Sequence, residues 1–419
     1  MRRHSGREDP LKKNVCAAAA FILAACSLAA LERPFFNGCT GFSAGVQNRP
    51  DTSSFKPECF GESFLTGQID FGGTLFLRGG FYVYGDDIFK YDSLSFAERN
   101  ARFRMEECSA TLKLSSSGAS HYINAYIGNF EPIGSDLFLQ RQFGIKPVSS
   151  SFTSSYRGLA GISYYPMYAK GLGYTFRPEG PLAFGISCYQ NEALSDESSS
   201  DALNLDVRFA SLLGITAADL SMGLALPEDE GDENYFFATK EIQIHGGLTF
   251  LVGNRNTTSL LIKAGINRLR LTKKNSGSDK INKWSDIYAF AEARAAGKYI
   301  AIDSSGFFFP RETAQDMVFL RHTAESKDAE SVFGGNVNIH SEQLYIGATR
   351  TSLGAHTTFA VSRTYEEKFK ASLLISPYAG IDIFGGSLNA SLSVDCLSLA
   401  DADKRAQCYS AQVGFKVNF

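Results

Sequence analysis

The last eleven residues of the sequence, 409–419, alternate strictly between apolar and polar side chains. In a helix, apolar residues would return every three or four positions, whereas alternation places them on opposite faces of a β-strand. The pattern therefore predicts a two-faced strand over 409–419. Its apolar members are Tyr409, Ala411, Val413, Phe415, Val417 and Phe419, and its polar members are Ser410, Gln412, Gly414, Lys416 and Asn418.

The same alternation recurs upstream, in 203–209, 242–250, 260–267, 333–340, 369–375 and 388–395. Such repetition predicts many half-buried strands, and the 34 Phe and 18 Tyr residues suit strands. In a β-sandwich the polar face would meet solvent. In a membrane barrel the polar face lines the lumen and the apolar face meets lipid.

Two places interrupt the alternation. Apolar residues occupy odd positions at Phe103 and Met105 but even positions at Leu112 and Leu114. The parity changes again between residues 266 and 269. A one-residue slip turns every following side chain to the other face, so each place needs a bulge, a turn or the end of the apolar band.

The N-terminus has the layout of an export signal: five basic residues and then an apolar run over 15–31. That run is shorter than the ~20 residues that a spanning helix needs, so we expect cleavage, with a retained helical anchor as the alternative. Residues 1–30 are the predicted signal peptide. The residues Leu23, Ala24, Ala25 and Cys26 resemble the lipobox of bacterial lipoproteins, which would lipidate Cys26.

The residues Tyr409, Val413, Phe415, Val417 and Phe419 resemble the C-terminal insertion signal of bacterial outer-membrane β-barrel proteins. The resemblance implies an outer-membrane location, surrounding lipid, and a barrel-assembly machinery as partner. We therefore predict an all-β fold, a transmembrane antiparallel β-barrel. Bacterial single-chain barrels have even strand numbers, so we expect about 16 strands, within 14–18. The barrel should occupy 65–419, and 31–64 should form a periplasmic lead-in or a small plug.

Polar insertions predict the extracellular loops, and polar strand positions predict the lumen wall. The loops are Asn191–Asp201, Pro227–Glu233, Thr272–Ser285 and Arg311–Glu330. A charged side chain facing lipid costs ~2–4 kcal/mol near the membrane midplane, so charges in the strands should face the lumen. The predicted lumen-facing residues are Arg102, Arg104, Glu106, Asp206, Arg208, Lys263, Lys370, Asp395 and Lys416.

Six cysteines follow the signal region, and export would expose them to an oxidising environment. Cys396 and Cys408 flank a polar segment, where a disulfide would link the last hairpin at its loop end. Cys39 and Cys59 are a second candidate pair. For both pairs the alternative is free thiols that serve as small hydrophobic groups. No cysteine has the spacing of a zinc site.

The motifs of catalysis and of cofactor binding are not found, and a net charge of −3 gives no basic footprint. We expect a non-enzyme without cofactor or metal and without nucleic acid as partner. The first functional hypothesis is a channel for passive or substrate-specific uptake of small solutes. The alternatives are a non-conducting barrel that displays long loops for ligand or host binding, and a β-rich periplasmic lipoprotein. The sequence leaves the solute and the oligomeric state open.

Overall fold

The computed structural model describes residues 34–48, 57–85, 101–144, 150–153, 168–192, 202–227, 242–270, 284–320, 329–364, 368–402, 405 and 408–419. The predicted signal peptide and Cys26 lie outside these residues. Antiparallel strands account for most of the described chain, and 18 of them form one sheet. The strands are β1 (Phe35–Asn48), β2 (Pro57–Phe71), β3 (Leu75–Gly85), β4 (Ala101–Ser116), β5 (Ala119–Gly128), β6 (Tyr168–Pro178), β7 (Leu182–Glu192), β8 (Ala202–Leu213), β9 (Thr216–Pro227), β10 (Gln243–Gly253), β11 (Thr258–Arg270), β12 (Ile287–Ala296), β13 (Ala301–Pro310), β14 (Ala329–Ile346), β15 (Thr349–Thr364), β16 (Phe369–Ile383), β17 (Gly386–Asp395) and β18 (Tyr409–Asn418).

The sheet closes on itself as an up-and-down barrel. Each strand pairs antiparallel with its sequence neighbours, and β18 pairs with β1. At this junction Gly38 and Phe419 exchange two backbone hydrogen bonds of 2.8 and 2.9 Å. The prediction of a closed all-β barrel is therefore confirmed. The strand number is 18 instead of 16, within the expected range.

The additional strands lie in the segment that the sequence suggested as a lead-in or plug. All of β1 and the first half of β2 fall within 31–64, and both belong to the barrel wall. The glycines at 38, 41 and 45 obscure the alternation in β1, because a glycine has no side chain to mark a face. The wall thus begins about 30 residues earlier than predicted, at Phe35 instead of residue 65.

The two rims of the barrel differ in the length of their connections. At the rim where β1 begins and β18 ends, the connections have two to four residues. We call this the short-turn rim. Its two-residue turns contain Gly118, Gly214, Gly347 and Gly385, all with positive φ, which glycine adopts without strain. At the opposite rim, the long-connection rim, the connections have eight to 39 residues except the four after β15. The four predicted loops all join strands at this rim.

Both interruptions of the alternation are shifts in strand register. One lies where Gly80 pairs with Glu107 but Phe81 pairs with Met105, so Glu106 is the extra residue of β4. The other lies between Ile244 and Gly246 of β10 and displaces the register of β11 beyond Ile266. Of the three alternatives, a bulge, a turn or the end of the apolar band, the structure shows a bulge at both places, and each bulge restores the apolar residues of its strand to the outer face.

The two faces of the wall differ in polarity as the alternation predicts. Large apolar side chains are exposed on the outside, among them Phe42 at 53% and Val413 at 46%. Their neighbours in sequence, Ser43 and Gln412, point inward, and the Gln412 amide donates a 3.4 Å hydrogen bond to the Ser43 hydroxyl. A closed antiparallel barrel with an apolar exterior is the architecture of outer-membrane β-barrels.

In the described connections at the long-connection rim there are three short α-helices. They are α1 (Leu137–Phe143), α2 (Arg311–Asp316) and α3 (Cys396–Ala400), and a 3-10 helix covers Trp284–Asp286. Among the residues that the structure describes, no helix is long and apolar enough to cross a membrane.

Closure of the barrel should depend on the absence of a side chain at Gly38. A Cβ atom there would lie 2.5 Å from the Thr66 carbonyl oxygen and 2.7 Å from the Phe419 ring. Since backbone must then shift, we expect Gly38→Ala to destabilise the barrel by ~1–3 kcal/mol. The measurement is the temperature at which the protein loses its SDS-resistant, fast-migrating form. In the control Gly79→Ala the nearest atom would be 3.7 Å away, and equal melting of both variants would contradict the prediction.

Candidate functional site

Among the described residues, two segments fold inward from the long-connection rim and partly fill the lumen. The first inward segment belongs to the β5–β6 connection and is described over 129–144 and 150–153. The second inward segment is 311–320, between β13 and β14. Together with inward-facing wall residues they form an apolar core inside the barrel. Its fully buried members include Phe138, Leu139, Phe152, Ala314, Met317, Leu320, Leu261, Tyr288, Phe290, Phe309, Val332 and Ala360.

The second inward segment corrects one of the predicted loops. Arg311–Glu330 was expected to extend outward, but residues 311–320 turn into the lumen after Pro310. The physical reason is the run of apolar side chains Met317, Val318, Phe319 and Leu320, which gain more from the inward-facing Phe307 and Phe309 than from water.

The two inward segments meet at the imidazole of His356 on β15. The ring of Phe319, from the second segment, lies 3.9 Å from the His356 ring, and that of Phe152, from the first, lies 5.9 Å away. Tyr378 on β16 packs 5.2 Å from the same imidazole. The segments therefore form one continuous filling against this side of the wall.

A buried ion pair fixes the first inward segment to β11. The Lys263 ammonium lies 2.6 Å from a carboxylate oxygen of Asp136 and also donates to the Gly134 carbonyl at 3.2 Å. Both side chains are at most 4% exposed. Removing one partner of such a pair leaves an uncompensated buried charge, so the contact strongly constrains the position of the segment.

A chain of alternating charges crosses the first inward segment from β9 to β3. Arg208 on β8 binds Asp219 of β9 at 2.6 Å and donates to the carbonyls of Glu131 and Ser135. The Arg141 guanidinium of α1 lies 3.0 Å from the Glu131 carboxylate and 2.5 Å from the Glu107 carboxylate of β4. Glu107 completes the chain with Arg78 of β3 at 3.3 Å.

The far end of the first inward segment is held by hydroxyl groups. The Ser150 hydroxyl donates to the Glu292 carboxylate of β12, which also binds Arg255 at 2.7 Å. The Asn338 amide of β14 donates to the Ser151 hydroxyl at 3.1 Å. The segment is thus anchored to β4, β8, β11, β12 and β14.

Two further clusters of titratable side chains cross-link strands on the inner face of the wall. Asp303 accepts from Arg294 at 3.1 Å and contacts His340 at 3.0 Å. Asp206 accepts from Tyr189 at 2.9 Å and contacts His245 at 2.7 Å. In the described part of the chain, no three His, Cys, Asp or Glu side chains are grouped so that they could hold a metal ion.

Little space remains between the first inward segment and the wall formed by β5–β9. A cavity of about 30 Å³ lies there, lined by Tyr126, Phe130, Tyr189, Asp206 and Arg208 among others. That volume holds about one or two water molecules. The first inward segment is therefore packed closely against this part of the wall.

The structure places the predicted lumen-facing residues in four different settings. Asp206, Arg208, Lys263 and Asp395 point inward, and their charged groups contact neighbouring residues. Glu106 occupies the bulge of β4, where it accepts from the Asn129 amide at 3.2 Å. Lys416 is half-buried, with its ammonium 5.9 Å from the centre of the Phe64 ring. Lys370 is exposed at the start of β16, and the side chains of Arg102 and Arg104 lie outside the described part.

Asp395 caps a helix at the end of β17. Its Oδ1 accepts from the backbone amides of Leu397 and Leu373, both at 3.1 Å, and its Oδ2 accepts from the Ser398 hydroxyl at 2.6 Å. These bonds fix the start of α3 at the long-connection rim. This carboxylate therefore has a structural role at the rim.

The sequence pattern missed the partners of the predicted charges. Glu107 follows the extra residue of β4, so the alternation before the bulge assigns it to the wrong face. Asp136, Glu131 and Arg141 lie in a connection that has no alternation. A weak signal did exist, because the run Leu137-Phe138-Leu139 is too apolar for an exposed loop.

The cysteine pairs have different outcomes. In the pairing of β1 with β2, Cys39 lies opposite Thr66, and Cys59 lies opposite Val46. Cys39 and Val46 are seven positions apart along β1. At ~3.3 Å per residue this separation is ~23 Å, which excludes a disulfide between them. Cys396 and Cys408 are free thiols at neighbouring positions, since the amide of Asp395 donates to the Cys408 carbonyl at 2.6 Å. Their disulfide stays a prediction.

Comparison with known proteins gives similarities of fold. No protein-family model matches the sequence, and no curated protein is similar to it. Among solved structures, Wzi, an outer-membrane protein involved in group 1 capsule assembly in Escherichia coli and described as a carbohydrate-binding β-barrel, superposes with a TM-score of 0.49. It shares 13% identity over 98% of this chain and 89% of its own. A variant of the Rh. blastica porin superposes with a TM-score of 0.43, at 10% identity over 92% of this chain and 100% of that chain.

Removing the Lys263 charge should weaken the attachment of the first inward segment. In Lys263→Met the Asp136 carboxylate stays buried without its cation, so we expect a loss of ~3–5 kcal/mol in the free energy of unfolding. Denaturant unfolding of the protein in detergent would measure it. The double variant Lys263→Met/Asp136→Leu, which removes both charges, should recover most of the loss. Identical midpoints for the single variant and the wild type would contradict the prediction.

Cys396 and Cys408 should form a disulfide after export. Burial raises the pKa of the Cys408 thiol, so oxidation should become faster as the pH rises and the thiolate fraction grows. Mass spectrometry of the unreduced protein should find the Cys396–Cys408 link and no link between Cys39 and Cys59. Complete alkylation of both Cys396 and Cys408 in exported, unreduced protein would show that the prediction is wrong.

Proposed function

We propose that this chain is an outer-membrane channel for small solutes whose lumen is narrowed by the two inward segments. The observation that carries the proposal is the difference in chemistry between the inward faces on the two sides of the barrel. The apolar core takes its wall residues from β7 to β15, while β17, β18, β1 and β2 present mainly Ser, Thr, Asn and Gln inward. Barrels of 16–18 strands are wide enough to leave an aqueous passage beside such a filling.

The proposed orientation follows from the two rims. In outer-membrane barrels the short turns face the periplasm and the long connections face the outside. The short-turn rim would then be periplasmic, and both inward segments would enter from the extracellular side. The apolar outer face would meet lipid, where the strands' backbone groups are satisfied by the closed ring.

The long-connection rim supports a second candidate, a non-conducting barrel that displays its loops for ligand or host binding. All nine connections at this rim except one have eight or more residues, which is more than strand closure requires. The third hypothesis, a periplasmic lipoprotein, is disfavoured. It would expose the ring of large apolar side chains on the outer face to water.

Conductance in planar bilayers separates the channel from the display barrel. We expect discrete steps for the wild type, and steps about twofold or more larger after residues 131–152 are replaced by a short Gly-Ser linker, because the aqueous cross-section grows. The control Leu205→Ala, on the outer face of β8, should keep the wild-type step size. Absence of steps in wild-type protein whose heat-modifiable form shows that it is folded would reject the channel and favour the display barrel.

A further inference from the structure

One buried imidazole contacts both inward segments. His356 of β15 is fully buried, and its ring packs against Phe152 of the first inward segment and Phe319 of the second. Tyr378 of β16 packs against the same ring. Aromatic rings from three parts of the chain thus enclose a side chain that takes up a proton near neutral pH when it is in water.

The hydrogen bonds around His356 determine which ring nitrogen carries the hydrogen. The Asn336 amide donates to the Thr358 hydroxyl at 2.8 Å, so its carbonyl oxygen Oδ1 is the atom that faces the imidazole. That oxygen lies 3.1 Å from Nδ1 of His356, and Nδ1 therefore donates its hydrogen to it. The other ring nitrogen, Nε2, then carries a lone pair. This buried atom has no hydrogen-bond partner among the described residues.

A proton on Nε2 would add an N–H donor and a positive charge that these surroundings do not satisfy. The titratable groups that act on His356 are Asp303 of β13, His340 of β14 and the neutral Tyr378. Asp303 is already compensated, since it contacts His340 at 3.0 Å and Arg294 at 3.1 Å. Aromatic rings attract a cation, but more weakly than water does. The site therefore suits the neutral imidazole.

The second inward segment is the one that a charge on His356 would displace. The centre of its Phe319 ring lies 3.9 Å from that of the imidazole, whereas the Phe152 ring of the first segment lies 5.9 Å away. Met317 and Leu320 of the second segment are fully buried in the apolar core. The first segment is additionally fixed by the buried ion pairs described above, and separating those charges would be costly.

We infer that His356 is an acid-sensitive latch for the second inward segment. While the imidazole is neutral, Phe319 packs against it and residues 311–320 stay in the lumen. When the segment leaves, Nε2 meets water and takes up a proton, which prevents Phe319 from returning. Acid therefore shifts the population toward the released form. Release requires only the fold, but its consequence, a wider passage for solutes, rests on the proposed function.

The size of the effect follows from the ordinary titration of histidine. An imidazole in water is half protonated near pH ~6.5. If only the released form binds the proton, a change from about pH 7.5 to about pH 5.5 raises the ratio of released to packed form about tenfold. Exposed Asp and Glu carboxylates stay largely ionised over this range, so they contribute little to such a change.

Oxidation of Met317 by hydrogen peroxide measures the released fraction, because its thioether is fully buried while the segment is packed. The quantity is the oxidation rate of Met317 in the folded protein, followed by mass spectrometry and divided by that of free methionine at the same pH. We expect this ratio to rise about tenfold from about pH 7.5 to about pH 5.5. In His356→Phe, which cannot take up the proton, the ratio should stay constant within about twofold. A constant ratio in the wild type, or a tenfold rise in His356→Phe, would overturn the inference.

Two other histidines provide the controls. His121 contacts Tyr174 on the outer face near the short-turn rim, so His121→Phe is the matched substitution and should keep the wild-type rise. His340→Gln should also keep it. Loss of the rise in His340→Gln would assign the titration to the cluster of Asp303 and overturn the inference. If His356→Phe gives no heat-modifiable form, His356→Gln, which is also neutral at both pH values, replaces it with the same expectation.

Conductance at the two pH values separates the latch from the proposed function. We expect acid to raise the frequency of enlarged steps about tenfold in the wild type and to leave it unchanged in His356→Phe. Acid-dependent oxidation of Met317 without conductance at either pH would support the latch and reject the channel. Conductance together with a pH-independent oxidation ratio would overturn the latch and leave the channel in place.

Discussion

Closure of the hydrogen-bonded ring is the constraint on which the other features of this structure depend. A strand edge in hydrocarbon would leave a row of unpaired amides and carbonyls, each costing several kcal/mol. The pairing of β18 with β1 removes that edge, and the stacked rings of Phe36 and Phe419, 5.2 Å apart, cover the junction on the outside. Once the ring is closed, the alternation of side chains assigns every strand residue to the exterior or to the lumen.

The second constraint is the width of the 18-strand ring, because a wide ring encloses a lumen that has to be filled. Wall side chains alone do not reach across such a lumen. The two inward segments fill the lumen beside β7–β15 with an apolar core. Inward-facing glycines make room for different groups on the two sides of the barrel. Gly185 on β7 leaves space for Phe138 of the first inward segment, while Gly41 and Gly45 on β1 leave space for aromatic rings of the neighbouring strand β2.

Sequence alone predicted the wall well and the filling poorly. Period-two alternation identified β4, β8, β10, β11, β14 and β16–β18. The parity changes near Glu106 and beyond Ile266 located the two bulges, because register errors are visible wherever one face is apolar. It failed in β1, where glycines hide the faces. It also failed for Asp136, Arg141 and Phe319, whose positions depend on tertiary contacts with strands far away in sequence. Local patterns carry no information on such partners.

The charged residues of the lumen show that the role of a residue depends on its position in the fold. Arg208 and Lys263 face the lumen, yet their charges are satisfied by Asp219 and Asp136 and by carbonyls of the first inward segment. Buried pairs of this kind contribute little net stability because desolvation offsets the attraction, but they tolerate few alternative geometries. Apolar contacts alone would let the segment slide. Charges from β4, β8 and β11 instead fix its position, because each of them is paired with an opposite charge or with a carbonyl group in one arrangement.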